Sequence, residues 1–146
     1  MTEPDRAREE LERVQHLIEK EHADLCGLLS RVEETTDLRQ LLELLRGLPE
    51  LLQRHFALEE GPGGLHQIIA SRAPWRTHDL ETVMAEHRTL AAKASGLVAD
   101  LQQHLDGPPE DLLHRTASLT HRLQRHEALE TDMLCDAVYT DLGGGD

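Results

Sequence analysis

The segments His55-Phe56-Ala57-Leu58-Glu59 and His126-Glu127-Ala128-Leu129-Glu130 each set an imidazole and a carboxylate four residues apart. On a helix, side chains at i and i+4 share a face, with Cβ atoms about 5–6 Å apart. Each pair therefore offers one nitrogen and one oxygen donor to a common point. Imidazole with carboxylate is a borderline donor set that suits iron, manganese or zinc. A Glu-His dipeptide precedes each segment, at Glu21-His22 and Glu86-His87. The chain thus repeats one unit twice, a lone histidine followed by His-x-x-x-Glu.

The elements that must carry these residues follow from the leucine rhythm. Leu38, Leu41, Leu45, Leu48 and Leu52 step by three and four, the spacing of one buried helix face, and the next steps land on His55 and Glu59. Leu11, Val14, Ile18, His22, Leu25, Leu29 and Val32 make a second such stripe; Leu80, Val83, His87, Leu90, Ala94, Leu97 and Leu101 make a third. Leu112, Thr116, Leu119, Leu123, His126, Glu130, Met133 and Ala137 make the last. Helices are expected at about 5–34, 37–60, 77–106 and 109–140, with Asp5 near the first N-cap and a frayed tail at 141–146. Gly61-Pro62-Gly63-Gly64 and Gly107-Pro108-Pro109 punctuate them. Pro49 predicts a kink after Gly47 rather than a break, since the apolar rhythm crosses it. A short helical turn around 65–71 is weakly signalled. The fold class is all-α, an up-down-up-down four-helix bundle in one domain spanning 1–146.

Every stripe carries a histidine in its seam, and the second and fourth add a glutamate one turn later. Any one histidine on an apolar face is ordinarily a satisfied core residue. Burying Glu59 and Glu130 among His22, His55, His87 and His126 without partners would cost several kcal/mol for each carboxylate. Mutual hydrogen bonds would absorb part of that, but they do not require one histidine from every helix. A pseudo-symmetric site for two metal ions does, with Glu59 and Glu130 reaching across to bridge them. A dinuclear nitrogen and oxygen site in a helical bundle points to iron first. The ferritin-like alternative needs Glu-x-x-His from two helices; Glu19 and His22 satisfy it, but Met84 stands three before His87. The other histidines, His16, His66, His78, His104, His114 and His121, fall off the seams or into connections and read as solvated.

The order His, His-x-x-x-Glu, His, His-x-x-x-Glu, from His22 to Glu130, resembles the hemerythrin-like (HHE cation-binding) family. The resemblance implies a non-haem di-iron centre, two iron ions joined by an oxo or hydroxo bridge. His22, His55, His87 and His126 would be terminal ligands, with Glu59 and Glu130 bridging. It also implies a small ligand, O2 or another diatomic molecule or peroxide. Two departures stand out. Hemerythrins proper carry a second histidine one turn along the third helix, where this chain has Val83 and Ala91. Their fourth-helix motif is also longer and ends in Asp. Water, a bridging oxygen or another carboxylate must fill the positions left over. Glu127 is the best placed by analogy; Glu60, Glu86 and Glu21 read as solvated charges. Relatives often continue helical where this chain has Gly61–Gly64, so a mobile strip that admits water or a ligand is expected beside the site.

Composition bounds the rest. Lys and Arg total 15 against 28 Asp and Glu, a formal net charge of −13, which argues against nucleic acid and anionic membranes. No apolar run approaches the ~20 residues of a membrane span, and the acidic start has no signal-like segment, so a soluble cytoplasmic protein is expected. Cys26 reads as a small buried hydrophobe. Antiparallel helices at a rise of about 1.5 Å per residue leave it on the order of 20 Å from Cys135, beyond disulfide reach. Tyr139 lies off the seam. The function expected is a di-iron protein that binds or senses O2. The alternatives are redox consumption of peroxide, nitric oxide or O2, and a metal-dependent interaction or iron-sensing bundle. No protein partner is specified, and no catalytic residue stands out beyond the metal ligands.

Overall fold

The architecture is that of a computed structural model describing residues 2–106 and 109–143, with side chains to residue 138. Helix α1 spans Glu3–Glu33. Thr2 caps it through a capping box: the Asp5 N–H donates to Thr2 Oγ1, and the Asp5 carboxylate accepts from the Thr2 N–H at 3.1 Å. Asp5, expected near the cap, is its reciprocal partner.

The second stripe is carried by α2 (Leu38–Leu45) and α3 (Leu48–Glu60). Pro49 has no N–H to close the helical bond to Leu45, so the ladder breaks into two helices where a kink was expected. Arg46 and Gly47 nevertheless keep right-handed helical angles. The buried face therefore runs on through Leu45, Leu48 and Leu52. The weakly signalled turn is a full helix, α4 (Leu65–Arg72), followed by a 3-10 turn at Pro74–Arg76. Helix α5 spans Thr77–Gln103, ending short of the expected 106, and α6 spans Pro109–Gly143, past the expected 140. Gly107-Pro108, the end of the expected tail at 144–146 and the side chain of Tyr139 lie outside the described residues.

Helices α1, α2–α3, α5 and α6 form the bundle: α1 packs on α2 and α6, α5 on α6 and on both α2 and α3. There is no strand among the described residues. No described helix is long and apolar enough to cross a membrane. The interior consists of two apolar layers. The larger holds Leu25, Leu29, Leu41, Leu45, Leu52, Leu90, Leu101 and Leu123. The smaller holds Ile18, Leu65, Ile69, Val83, Met133 and Ala137. On α1, α5 and α6 the seam histidines and glutamates fall between them in sequence, so the two layers sandwich a polar stratum.

Helix α4 is what completes the smaller layer. Helix α3 stops at Glu60, just past the polar stratum, while α1, α5 and α6 continue; α4 turns back and fills the missing corner, touching all four neighbours. The glycines make that reversal possible. Gly63 takes φ +72°, and a Cβ on Gly64 would stand 2.2 Å from Leu58 O and 2.7 Å from Glu59 O. The Gly61–Gly64 strip, expected as an opening, is a tight fold-back onto the end of α3, with Gly64 itself buried. Arg76 then anchors the 3-10 turn to α6 through ion pairs with Asp132 and Asp136.

Candidate metal centre

The seam positions bring His22, His55, Glu59, His87, His126, Glu127 and Glu130 into one buried cluster, none more than 6 % exposed. In His22, His55, Glu59 and Glu130, one donor atom from each lies within 4.8 Å of the others; the same holds for Glu59, His87, His126 and Glu130. Both groups share Glu59 and Glu130. Such buried groups of imidazole and carboxylate donors are compatible with a metal site.

Each imidazole is oriented by its outer nitrogen. His55 Nδ1–H donates to Glu21 at 2.9 Å, His87 Nδ1–H to Glu60 at 3.1 Å and His126 Nδ1–H to Glu86 at 3.1 Å, and His22 Nδ1 shares a hydrogen bond of 2.9 Å with Thr131 Oγ1. A carboxylate accepting from Nδ1, as on His55, His87 and His126, favours the tautomer that turns the Nε2 lone pair inward, the one a metal-binding histidine needs. The inner atoms crowd together. His22 Nε2 lies 3.2 Å from Glu59 and 3.0 Å from Glu127; His55 Nε2 lies 3.4 Å from Glu59 and 3.3 Å from Glu127. His87 Nε2 and His126 Nε2 each lie 3.2 Å from Glu130. Two donors about 2.0–2.2 Å from one ion at right angles would sit roughly 3 Å apart, which is the spacing found here.

The hydrogen-bond count points the same way. His55 Nε2, His126 Nε2, Glu59 Oε1, Glu130 Oε1 and both oxygens of Glu127 are buried without a hydrogen-bond partner. Buried polar atoms are rarely left so. A cation accounts for all of them, and the donors fit a mixed imidazole and carboxylate metal site.

Protons take the cation's place in the metal-free protein. Burial opposes a charge on His22, but the nearby carboxylates of Glu127 and Glu59 outweigh it and raise its pKa to about 10; His55, close to Glu127 and Glu59, is raised to about 9 in spite of its burial. Burial pushes Glu59 up to about 8 and raises Glu130 as well, whereas the two histidines hold Glu127 below the usual carboxylate range. His87 goes the other way, lowered to about 3 by burial and by neighbouring imidazoles.

Five residues need correction against the sequence expectations. Glu21 and Glu86 are part-buried rather than solvated, and Glu60 is exposed as expected at 48 %; yet each holds the Nδ1 of a histidine. They sit one position off their seams, on the flank that meets the neighbouring helix, and the Glu-His dipeptides at 21–22 and 86–87 were the available signal. His66 is not solvated either: it is 6 % exposed, and its ring lies 5.1 Å from that of His87. His16, His78, His104, His114 and His121 are exposed as expected. Cys26 is exposed rather than buried, because the α1 stripe steps from Leu25 to Leu29 and leaves it aside; it and Cys135 are both free.

The repeat also has one flaw. Glu127, directly after His126, reaches across to His22 and His55. Its counterpart directly after His55 is Phe56, which stacks on His87 at 3.9 Å between ring centroids. The two ends of the cluster are therefore chemically unequal. Beside the Phe56 end runs a surface groove of about 670 Å³ lined by Phe56, Glu60, Met84, His87 and Arg88 among others.

Comparison with known proteins supplies one match. The family model described as the hemerythrin HHE cation binding domain fits residues 13–138. Neither a curated protein nor a solved structure matches the chain.

Proposed function

The chain belongs to the hemerythrin HHE cation-binding family, and from that premise we propose that it is a non-haem di-iron protein, one domain over residues 1–146, that binds or senses O2. The observation that carries this reading is the pair of four-residue donor groups sharing Glu59 and Glu130. His22, His55 and Glu127 would hold one iron and His87 and His126 the other, with Glu59 and Glu130 available to both. A pair of iron ions bound there would supply redox chemistry toward a small oxidant. The protein's part is to fix the imidazoles through Glu21, Glu60, Glu86 and Thr131, to keep the inner face dry between two apolar layers, and to offer an approach along the groove beside His87.

Reversible binding is tested by loading iron(II) without oxygen and admitting air. A visible charge-transfer band that forms in air and disappears under vacuum, over repeated cycles, is the expected result. Irreversible oxidation of the iron within seconds would overturn reversible binding.

A second reading, redox consumption of peroxide, nitric oxide or O2, has its own support. Carboxylate partners on three of the four histidines raise ligand basicity and favour the oxidised metal, and Glu60 stands at the groove. Turnover above that of free iron, lost in Glu59→Ala, is its signature.

A further inference from the structure

His66 is the one buried histidine in this region whose two ring nitrogens both lack a partner. His22, His55, His87 and His126 each have Nδ1 held by a named side chain, whereas neither ring nitrogen of His66 has a hydrogen-bond partner. A buried imidazole left without hydrogen bonds is destabilising. Some compensation in the working protein is to be expected.

Its position says what that compensation is. The repeat places residue 127 opposite residue 56: Glu127 brings a carboxylate to His22 and His55, but Phe56 brings only a ring face to His87. The His87 and His126 end is thus one donor short. His66 lies at that end. Its ring centroid is 5.1 Å from that of His87, close to the 5.0 Å between His22 and His55 and the 4.8 Å between His87 and His126. It enters from outside the four-helix repeat, on α4, which no counterpart in the second half matches. The Gly61–Gly64 reversal, with its backbone contact at Gly64 too close for any side chain, is what carries α4 back over the site.

We propose that His66 is a metal ligand, the third imidazole for the ion at His87 and His126, replacing the carboxylate that Phe56 displaces. This rests on the dinuclear reading above. It makes the two ions unequal: one held by two histidines and Glu127, the other by three histidines, with Glu59 and Glu130 common to both. The α3–α4 reversal is then part of the metal site, and a distant histidine fills the position left vacant by Val83 and Ala91 on α5.

The test is cobalt(II) titration of the metal-free protein, wild type against His66→Phe, followed by visible absorption, with thermal melts of both forms. His66→Phe keeps an aromatic ring and removes the unpartnered nitrogens, so the metal-free variant should melt at or above the wild-type temperature. Wild type should take up two ions. The variant should bind the first with unchanged affinity and the second at least about tenfold more weakly, the order expected for damage to a ligand shell. The absorption of the second ion should change, as should its contribution to the melting temperature. His66→Cys, which restores a metal-binding side chain, should recover the second ion. Two ions bound by His66→Phe with wild-type affinities and spectra would overturn the proposal, even if reactivity toward peroxide were lost. Failure of the wild type to bind two ions would instead overturn the dinuclear reading on which it rests.

Discussion

Glu59 shows how much of the centre can be reasoned from one residue. Its carboxyl is fully buried, lies 3.2 Å from His22 and 3.5 Å from His87, and is pushed up to about 8 by burial. In an unfolded chain it ionises near 4.5, so between those values the folded metal-free protein holds a proton that the unfolded chain has lost. Stability from this group falls as pH rises through that window. Glu59→Gln keeps the shape and removes the charge. It should leave the metal-free protein at least as stable as wild type at pH 9, while reducing metal uptake at both positions; melting curves and metal analysis read the two effects separately. A metal-free Glu59→Gln protein less stable than wild type at pH 9 would show that the buried charge is favourable without an ion. The seam made Glu59 and the other buried donors legible in the sequence, since each interrupts an apolar stripe. Glu21, Glu60 and Glu86 were not legible because they stand one position away, and only helix–helix packing turns that flank inward.

At the level of elements, the leucine stripes announced all four bundle helices, and the apolar rhythm across Pro49 persists in the buried face despite the broken ladder. Helix α4 was barely visible. Its eight residues are too few for a periodic signal, and its burial comes from a chain reversal no local pattern encodes. His66 was misread for the same reason. The glycines that looked like a loose strip are the cause of that packing. Gly64→Ala would drive a Cβ into Leu58 O and Glu59 O, both backbone atoms that cannot swing aside. The substitution should cost about 1–3 kcal/mol, the usual range for forced overpacking, and loosen the second ion with it. Gly27→Ala is the control: it lies in α1 with open space around it and should raise stability by up to about 1 kcal/mol. Equal effects from the two substitutions in chemical denaturation would contradict the role given to the reversal.

For the molecule as a whole, folding and metal binding are linked through protons. His22 at about 10, His55 at about 9 and Glu59 at about 8 are largely protonated at pH 7 in the metal-free protein. An ion must displace those protons. The raised values fix the sign: affinity falls as pH drops below about 10 and more steeply below about 8, where all three groups take up protons. Calorimetric titration at pH 7 in buffers of different ionisation enthalpy should report net proton release; no release would mean that the donors are already deprotonated. The acidic surface, with net charge −13, adds a favourable field for cations but no selectivity. Selectivity belongs to the buried stratum, where two apolar layers hold imidazoles and carboxylates at metal-ligand spacing. The most direct test is therefore metal analysis of the purified protein after anaerobic incubation with iron(II) and removal of excess metal. Two irons per chain, with a melting temperature well above that of the metal-free form, is the predicted result; less than one iron per chain, with no change in melting temperature, would contradict it.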